Sequence, residues 1–184
     1  MNVFINPGHA PNGDPDPGAV NANTGLRESD VSWQIGKRVV CYLNAVGYDT
    51  QILQSDSLEE ICQTANAMPA DLFVSIHCNS AGTPSAKGTE TWYNDGSAGG
   101  VKLAQCIDNQ IVNSIHEVDR GPKDAVPHVN GLYVLQNTNM TAVLVETGFI
   151  SNADDEAILA TTAGQDAIAR AIARGITDYV AQMG

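Results

Sequence analysis

Short hydrophobic runs alternate along this chain with longer segments in which apolar residues recur every three or four positions. The short runs predict β-strands at residues 3–5, 50–53, 72–76, 88–93, 132–135 and 142–145. The periodic segments predict helices at residues 29–45, 57–68, 98–116, 153–159 and 165–181. This alternation predicts an α/β fold, a single domain with a central mixed, mostly parallel β-sheet flanked by helices on both faces.

Two segments show neither periodicity. Residues 120–128 are predicted to be irregular, and residues 10–25 are predicted to form a long loop rich in Gly, Pro, Asn and Asp. A loop of this length inside a compact domain is usually functional or mobile, and a passive connection is the alternative. We therefore expect it to form a wall of the substrate groove.

Composition excludes several classes of protein. The length of 184 residues suits one compact domain, which we place at residues 1–184. A net charge of −12 argues against nucleic acid as a partner and against adhesion to anionic membranes. No apolar run approaches the ~20 residues that span a bilayer, so membrane insertion is not expected. The four cysteines form no CxxC pair, which predicts free thiols. Separately, we expect the protein to be a monomer.

Four side chains suited to metal chemistry stand at or just beyond predicted element ends. His9, His77 and Glu146 follow or end hydrophobic runs, and Glu28 stands where the first long helix begins. Two imidazoles and one carboxylate can hold a zinc ion with one position open, and a second carboxylate can act on the water bound there. Singly, His9 and Glu28 also suit structural hydrogen bonding or capping, whereas Glu146 is costly to bury without a partner.

Other candidate ligands are weaker. His116 lies near a helix end, where it suits the last carbonyl groups. Strand alternation places the side chain of Cys78 on the face opposite His77. His128 follows Pro127 in a loop and is a candidate for the rim of a substrate site.

Several motifs in one order carry a family resemblance. They are NPGHAPNGDPDPGA, GLRESD, ADLFVSIHCNSA, KGTETWY and AVLVETGFISNADDEAIL. Together they resemble the zinc-dependent N-acetylmuramoyl-L-alanine amidases of the third amidase group, over residues 2–180. The resemblance implies that His9, Glu28 and His77 bind zinc, that Glu146 is the catalytic carboxylate, and that Asn79 lines the site and contacts substrate.

The resemblance also implies a reaction and a place of action. These enzymes hydrolyse the amide bond between the lactyl group of N-acetylmuramic acid and the L-alanine of the peptidoglycan stem peptide. An extracellular or cell-wall protein is therefore expected, as an autolysin or an endolysin. No signal peptide is visible, which fits a phage lysin or a domain of a longer precursor. The helix at 57–68 lacks the basic residues common in the family, and residues 120–130 also look atypical.

Two other functions stay open at this point. A zinc carboxypeptidase-like metallopeptidase would use the same ligands and would need a basic residue for a terminal carboxylate. Arg27 and Arg120 are the loop arginines that suit this role. An inactive wall-binding module on the same fold would have lost a ligand or Glu146, and all four residues are present.

Overall fold

The structure, a computed structural model, describes residues 1–183 and forms a six-stranded sheet between two layers of helices. The strands are β1 (Asn2–Pro7), β2 (Asp49–Ile52), β3 (Leu72–Asn79), β4 (Thr89–Asn94), β5 (Asp119–Ala125) and β6 (Thr141–Phe149). The helices are α1 (Glu28–Ala45), α2 (Leu58–Ala67), α3 (Ala98–Ile115), α4 (Tyr133–Asn137), α5 (Ala153–Leu159) and α6 (Thr162–Ala181). The predicted α/β fold is confirmed.

The strand order is β2-β1-β3-β6-β4-β5. Strands β2, β1, β3 and β6 pair in parallel, whereas β4 pairs antiparallel with β6 and parallel with β5. The carboxyl ends of β1, β3 and β6 therefore meet at the same edge of the sheet as the amino ends of β4 and β5. This edge carries the candidate site.

Alternation along the strands divides the core between the two faces. One face packs on α1, α3 and α6 through residues such as Val74, Ile76 and Val145. The opposite face packs on the short helices α2 and α4 through Phe4, Phe73 and Leu144. Two short helices cover less of a sheet than three long ones, so the second face has room for a groove near the carboxyl ends of its strands.

Three helices begin at residues whose side chains accept hydrogen bonds from the first free backbone amides. The Ser57 hydroxyl accepts a hydrogen bond from the Glu60 amide at 3.2 Å, which confirms the predicted start of α2. The Glu60 carboxylate accepts from the Ser55 hydroxyl at 2.5 Å, rather than from the Ser57 amide as in a capping box. The Asn152 side chain caps α5 and Thr161 caps α6 in the same way.

Two sequence predictions were wrong. Residues 132–135 were predicted as a strand, but they lie at the start of α4, because a short apolar run has the same appearance in a buried helix and in a strand. Residues 120–128 were predicted as irregular, but most of them form β5. This strand is at the edge of the sheet, where charged residues and Pro122 are tolerated, so it lacks a hydrophobic run.

Two further expectations concern thiols and membranes. All four cysteines are free; Cys41 is exposed, whereas Cys62, Cys78 and Cys106 are buried. Within residues 1–183, none of the helices combines the length and the apolar character that crossing a bilayer requires.

Candidate metal centre and catalytic carboxylate

Three of the four side chains predicted to take part in metal chemistry converge at the carboxyl edge of the parallel strands. His9 follows β1, His77 lies near the end of β3, and Glu28 is the first residue of α1. One ligand atom from each of these residues lies within 4.8 Å of the others. Glu28 Oε1 stands between the two rings, 3.0 Å from His9 Nε2 and 2.9 Å from His77 Nδ1.

Glu28 is held as an anion although its side chain is only 5% exposed. Its Oε1 accepts a hydrogen bond from the Cys78 amide at 2.9 Å, and its Oε2 accepts from the Ala19 amide at 2.8 Å. Burial alone would raise the pKa of Glu28, but the hydrogen bonds and charges of His77 and His9 outweigh burial and hold the pKa well below its usual range. The carboxylate is therefore ionised at any pH at which the protein would act.

His9 is oriented by the loop that follows it. Its Nδ1 lies 2.7 Å from Asp16 Oδ2, which leaves Nε2 directed at Glu28. Burial would lower the pKa of His9, but hydrogen bonds and charge from Glu28 and Asp16 raise it to about 9. The backbone of His9 is left-handed, with φ 66°, which is rare for a residue other than glycine and recurs at functional sites.

Two glycines allow the rings to pack so closely. A Cβ atom on Gly8 would lie 2.2 Å from Cε1 of His77. A Cβ atom on Gly18, whose φ is +67°, would lie 2.5 Å from Cδ2 of His9 and 2.7 Å from Glu28 Oε2. The loop predicted to wall the groove therefore also supports the cluster, through Asp16, Gly18 and Ala19.

The donor set fits a zinc ion. Imidazole nitrogen and carboxylate oxygen are zinc ligands with bonds of about 2.0–2.2 Å, so two ligand atoms on one tetrahedral ion are roughly 3.3 Å apart. The separations of 3.0 and 2.9 Å from Glu28 Oε1 to the two imidazoles are close to that value. Asp16 stands where a carboxylate commonly orients a metal-bound histidine.

Glu146 lies beside this cluster in a different environment. Its Cα pairs in register with that of His77 on the neighbouring strand β3. Part of the residue reaches solvent, but Oε2 is enclosed and has no hydrogen-bond partner within residues 1–183. Burial raises the pKa of Glu146 to about 7; His77 opposes the shift, while Glu28 and Glu90 add to it. A carboxyl group with these properties can both take and give a proton near neutral pH.

A polar network adjoins Glu146 on the antiparallel side. Glu90 on β4 stands directly opposite Glu146 in the register, and its side chain is 5% exposed. Asn79 Nδ2 donates to Glu90 Oε1 at 3.0 Å, and Arg120 Nε donates to Glu90 Oε2 at 2.6 Å. The guanidinium carbon of Arg120 lies 4.9 Å from the centroid of the Phe149 ring.

Two cavities flank the cluster. A cavity of about 320 Å³ lies between α2 and α4 and is lined by His9, His77 and Asp16 together with apolar residues. These apolar residues are Leu58, Ile61, Leu132, Tyr133, Val134 and Leu144. A second cavity, of about 380 Å³, contains Glu146, Asn79 and Arg120. The cluster thus has one largely apolar and one polar cavity beside it.

The remaining histidines stand apart from the cluster. His116 is the exposed C-terminal cap of α3, and its backbone amide donates to the Val112 carbonyl. His128 is an exposed loop residue with φ 63°, and it lines neither of the two cavities. The Cys78 side chain packs in the core on the face opposite His77, as strand alternation predicted.

Sequence reasoning missed two members of the site, Asp16 and Glu90. Asp16 is one of several acidic residues in a Gly- and Pro-rich loop, and the pattern did not distinguish it from its neighbours. The signal for Glu90 was a lone charged residue inside the strand-like KGTETWY. Its position opposite Glu146 depends on the strand order, which the pattern does not contain.

An α/β sheet with candidate metal ligands at one edge and an enclosed carboxyl group beside them is typical of metallohydrolases. Comparison with known families narrows this class. The chain belongs to the N-acetylmuramoyl-L-alanine amidase family, whose model matches residues 3–178. The resemblance seen in the motifs is confirmed, and the chain is an amidase-type hydrolase.

Two relatives match the sequence of this chain over nearly its whole length. The N-acetylmuramoyl-L-alanine amidase LytC of Bacillus subtilis (strain 168) is 38% identical over 183 residues, covering 96% of this chain and 35% of LytC. The endolysin of Bacillus phage SPP1 is 35% identical over 190 residues, covering 97% of this chain and 65% of the endolysin. The chain thus spans about a third of LytC and somewhat less than two thirds of the endolysin.

A solved structure confirms the fold. The crystal structure of N-acetylmuramoyl-L-alanine amidase from Clostridium difficile 630 superposes with a TM-score of 0.86 at 33% identity. The match covers 100% of this chain and 98% of the other.

Proposed function

We propose that this chain is a zinc-dependent N-acetylmuramoyl-L-alanine amidase, with residues 1–184 as its catalytic domain. The substrate is peptidoglycan, and the bond cleaved is the amide between the lactyl group of N-acetylmuramic acid and the L-alanine of the stem peptide. The observation that carries the proposal is the cluster of His9, Glu28 and His77 beside the enclosed Oε2 of Glu146.

In this proposal the three clustered residues hold the ion. His9 supplies Nε2, His77 supplies Nδ1 and Glu28 supplies Oε1, the atoms that already face one another. Zinc in such a site polarises an amide carbonyl and makes water a better nucleophile. Asp16 fixes the ring of His9 so that Nδ1 is protonated and Nε2 is available.

Glu146 performs the proton transfers. Its carboxylate, part of which reaches solvent, accepts the proton of the attacking water as the carbon–oxygen bond forms. The same proton is then given to the L-alanine nitrogen as the carbon–nitrogen bond breaks, which leaves a free amino terminus and a lactyl carboxylic acid that ionises at neutral pH. In the metal-free protein burial raises the pKa of Glu146 to about 7. A bound zinc ion would lower this pKa and favour the carboxylate form, which is the form that accepts the first proton.

Substrate binding and location complete the proposal. Asn79 adjoins Glu146 in the polar cavity and contacts substrate there. His128 is proposed at the outer rim of the groove, where its exposed ring can reach a polymer. The names of LytC, an amidase, and of the phage endolysin support a protein that acts at or outside the cell wall. We propose in addition that it acts as a monomer.

Product analysis tests the proposal. Purified protein with zinc is incubated with peptidoglycan or muropeptides, and the products are identified by mass spectrometry. We expect free L-alanine amino termini, lactyl carboxylates, and loss of cleavage with a chelator that readded zinc restores. Release of a carboxyl-terminal residue would favour the carboxypeptidase-like alternative, and binding without cleavage would favour the inactive module.

A further inference from the structure

We propose that Arg120 and Asn79 form a binding site for a carboxylate on the peptide part of the substrate, in the cavity of about 380 Å³ that also contains Glu146. The group that fits is the α-carboxylate of the second stem residue. That residue is a glutamate joined through its side chain, and its α-carboxyl is either free or amidated. The inference rests on the proposed function, because it places the leaving peptide beside Glu146.

Arg120 is oriented before any ligand arrives. Its Nε is fixed on Glu90 at 2.6 Å, and its guanidinium carbon lies 4.9 Å from the Phe149 ring centroid. Within residues 1–183, the two terminal nitrogens of Arg120 make no hydrogen bond, and the side chain is 36% exposed. A guanidinium held by one edge in this way keeps its outer N–H groups for a planar, two-oxygen partner.

Glu90 serves as the anchor of this site. Both of its oxygens are occupied, Oε1 by Asn79 and Oε2 by Arg120, and its side chain is almost fully buried. The two donors keep further N–H groups after these bonds, since an amide has two and a guanidinium five.

Charge and reach select the ligand. A dianion such as phosphate would be repelled by Glu90 and Glu146, whereas a single carboxylate adds one charge and matches the guanidinium fork. Glu90 and Glu146 are direct partners in the antiparallel register, so Arg120 lies one side chain away from the proposed base. Two extended residues span about 7 Å, enough to carry a chain from the scissile nitrogen to the second residue.

The kinetic test compares two muramyl tripeptides, MurNAc-L-Ala-γ-D-Glu-L-Lys and its α-amide. We expect wild-type kcat/KM to be about 10- to 100-fold higher for the free carboxylate, the range for a charge-assisted hydrogen bond. Arg120→Ala should remove this preference, Arg120→Lys should keep part of it, and Arg174→Ala on α6 is the surface control. Equal wild-type rates on both substrates, or an equal fall on both in Arg120→Ala, would overturn the carboxylate site.

A binding test separates this inference from the proposed function. The product peptide L-Ala-γ-D-Glu-L-Lys and its α-amide are titrated into wild-type protein, followed by tryptophan fluorescence, because Trp92 lines the same cavity. The free carboxylate should bind about tenfold more tightly. If the protein is inert but keeps this preference, the amidase proposal fails and the carboxylate site stands. If it cleaves and binds both forms equally, the carboxylate site fails and the amidase proposal stands. Both wild-type comparisons decide the matter even if Arg120→Ala does not fold.

Discussion

Glu28 and Glu146 are two enclosed carboxyl groups of one site, and their surroundings give them opposite acid–base properties. Glu28 accepts hydrogen bonds from two backbone amides and faces two imidazoles, which hold its pKa well below the usual range. Within residues 1–183, one oxygen of Glu146 has no hydrogen-bond partner, and two like charges lie nearby; burial raises the pKa of Glu146 to about 7. Such a divergence separates a permanent anion, suited to bind a cation, from a group suited to exchange protons.

The two glutamates also lie beside different parts of the sheet. The Glu28 cluster lies on the purely parallel side, where β1, β3 and the start of α1 meet. Glu146 stands at the boundary where β6 pairs with the antiparallel strand β4. Backbone amides and rings converge on the first position, whereas the second receives another carboxylate, Glu90, directly across the strand pair. The groups that surround each carboxyl group therefore distinguish the proposed ligand, Glu28, from the proposed base, Glu146.

The largest effect is expected from removing a ligand. His77→Ala should abolish zinc binding at stoichiometric metal and reduce muropeptide cleavage to background, because only two protein ligands remain. Zinc content by atomic absorption and cleavage by mass spectrometry measure both effects. His116→Asn, at the exposed left-handed cap of α3, is the matched control and should keep both. Full zinc content in His77→Ala would remove His77 from the proposed ligand set.

The second largest effect is expected from replacing Glu146, the proposed base, with a residue that cannot transfer protons. Glu146→Gln should lower kcat by about 10²- to 10⁴-fold, the usual contribution of a general acid–base group, and should keep bound zinc. Glu59→Gln on the exposed side of α2 is the control. A glutamine variant that still turns over at the wild-type rate would rule out proton transfer by Glu146.

The two carboxylates should also affect the stability of metal-free protein with opposite signs. The lowered pKa of Glu28 stabilises the fold above its unfolded value of 4.5, and this contribution is lost as the pH falls toward the lowered value. The raised pKa of Glu146 favours the fold below 4.5, and this advantage is lost as the pH rises through about 7. At pH 8, Glu28→Gln should therefore destabilise by about 2–4 kcal/mol, whereas Glu146→Gln should stabilise by about 1–3 kcal/mol.

Urea unfolding in the presence of a chelator measures both free energies. At pH 4 the stabilisation by Glu146→Gln should nearly vanish, because the wild-type carboxyl group is then protonated in both the folded and the unfolded states. If both variants changed the free energy of unfolding in the same direction at pH 8, the surroundings of Glu28 and Glu146 would not have the opposite effects described above.

The smallest effect concerns the residue behind a ligand. Asp16→Asn removes the charge that orients His9 through the 2.7 Å contact at Nδ1, so zinc affinity should fall about 10- to 100-fold. Asp14→Asn, two positions earlier in the same loop, is the matched control. Competition with a fluorescent zinc chelator measures the zinc affinity of both variants. If the two affinities are equal, Asp16 shapes the loop but does not support zinc binding by His9.

Much of the fold was predictable because its elements carry local signals. The strand around Val143 is a continuous apolar run, the strand around Val74 is interrupted only by Ser75, and the helices have a regular apolar face. The failures at β5 and α4 occurred where the local signal is absent or ambiguous. The charged strand β5 forms the edge of the sheet beside β4, and α4 is a five-residue helix whose Val134 and Leu135 pack against the sheet.

The sequence by itself determined the types of candidate ligand and their places near element ends, because side-chain chemistry and periodicity are local properties. The tertiary structure decided which of them meet, since the strand order brings His9, Glu28 and His77 together from positions up to 68 residues apart. It also decided the pKa of each carboxyl group, and it placed Glu90 and Arg120 beside Glu146. Burial and the distance between charges arise from packing between distant segments, so no local pattern contains them.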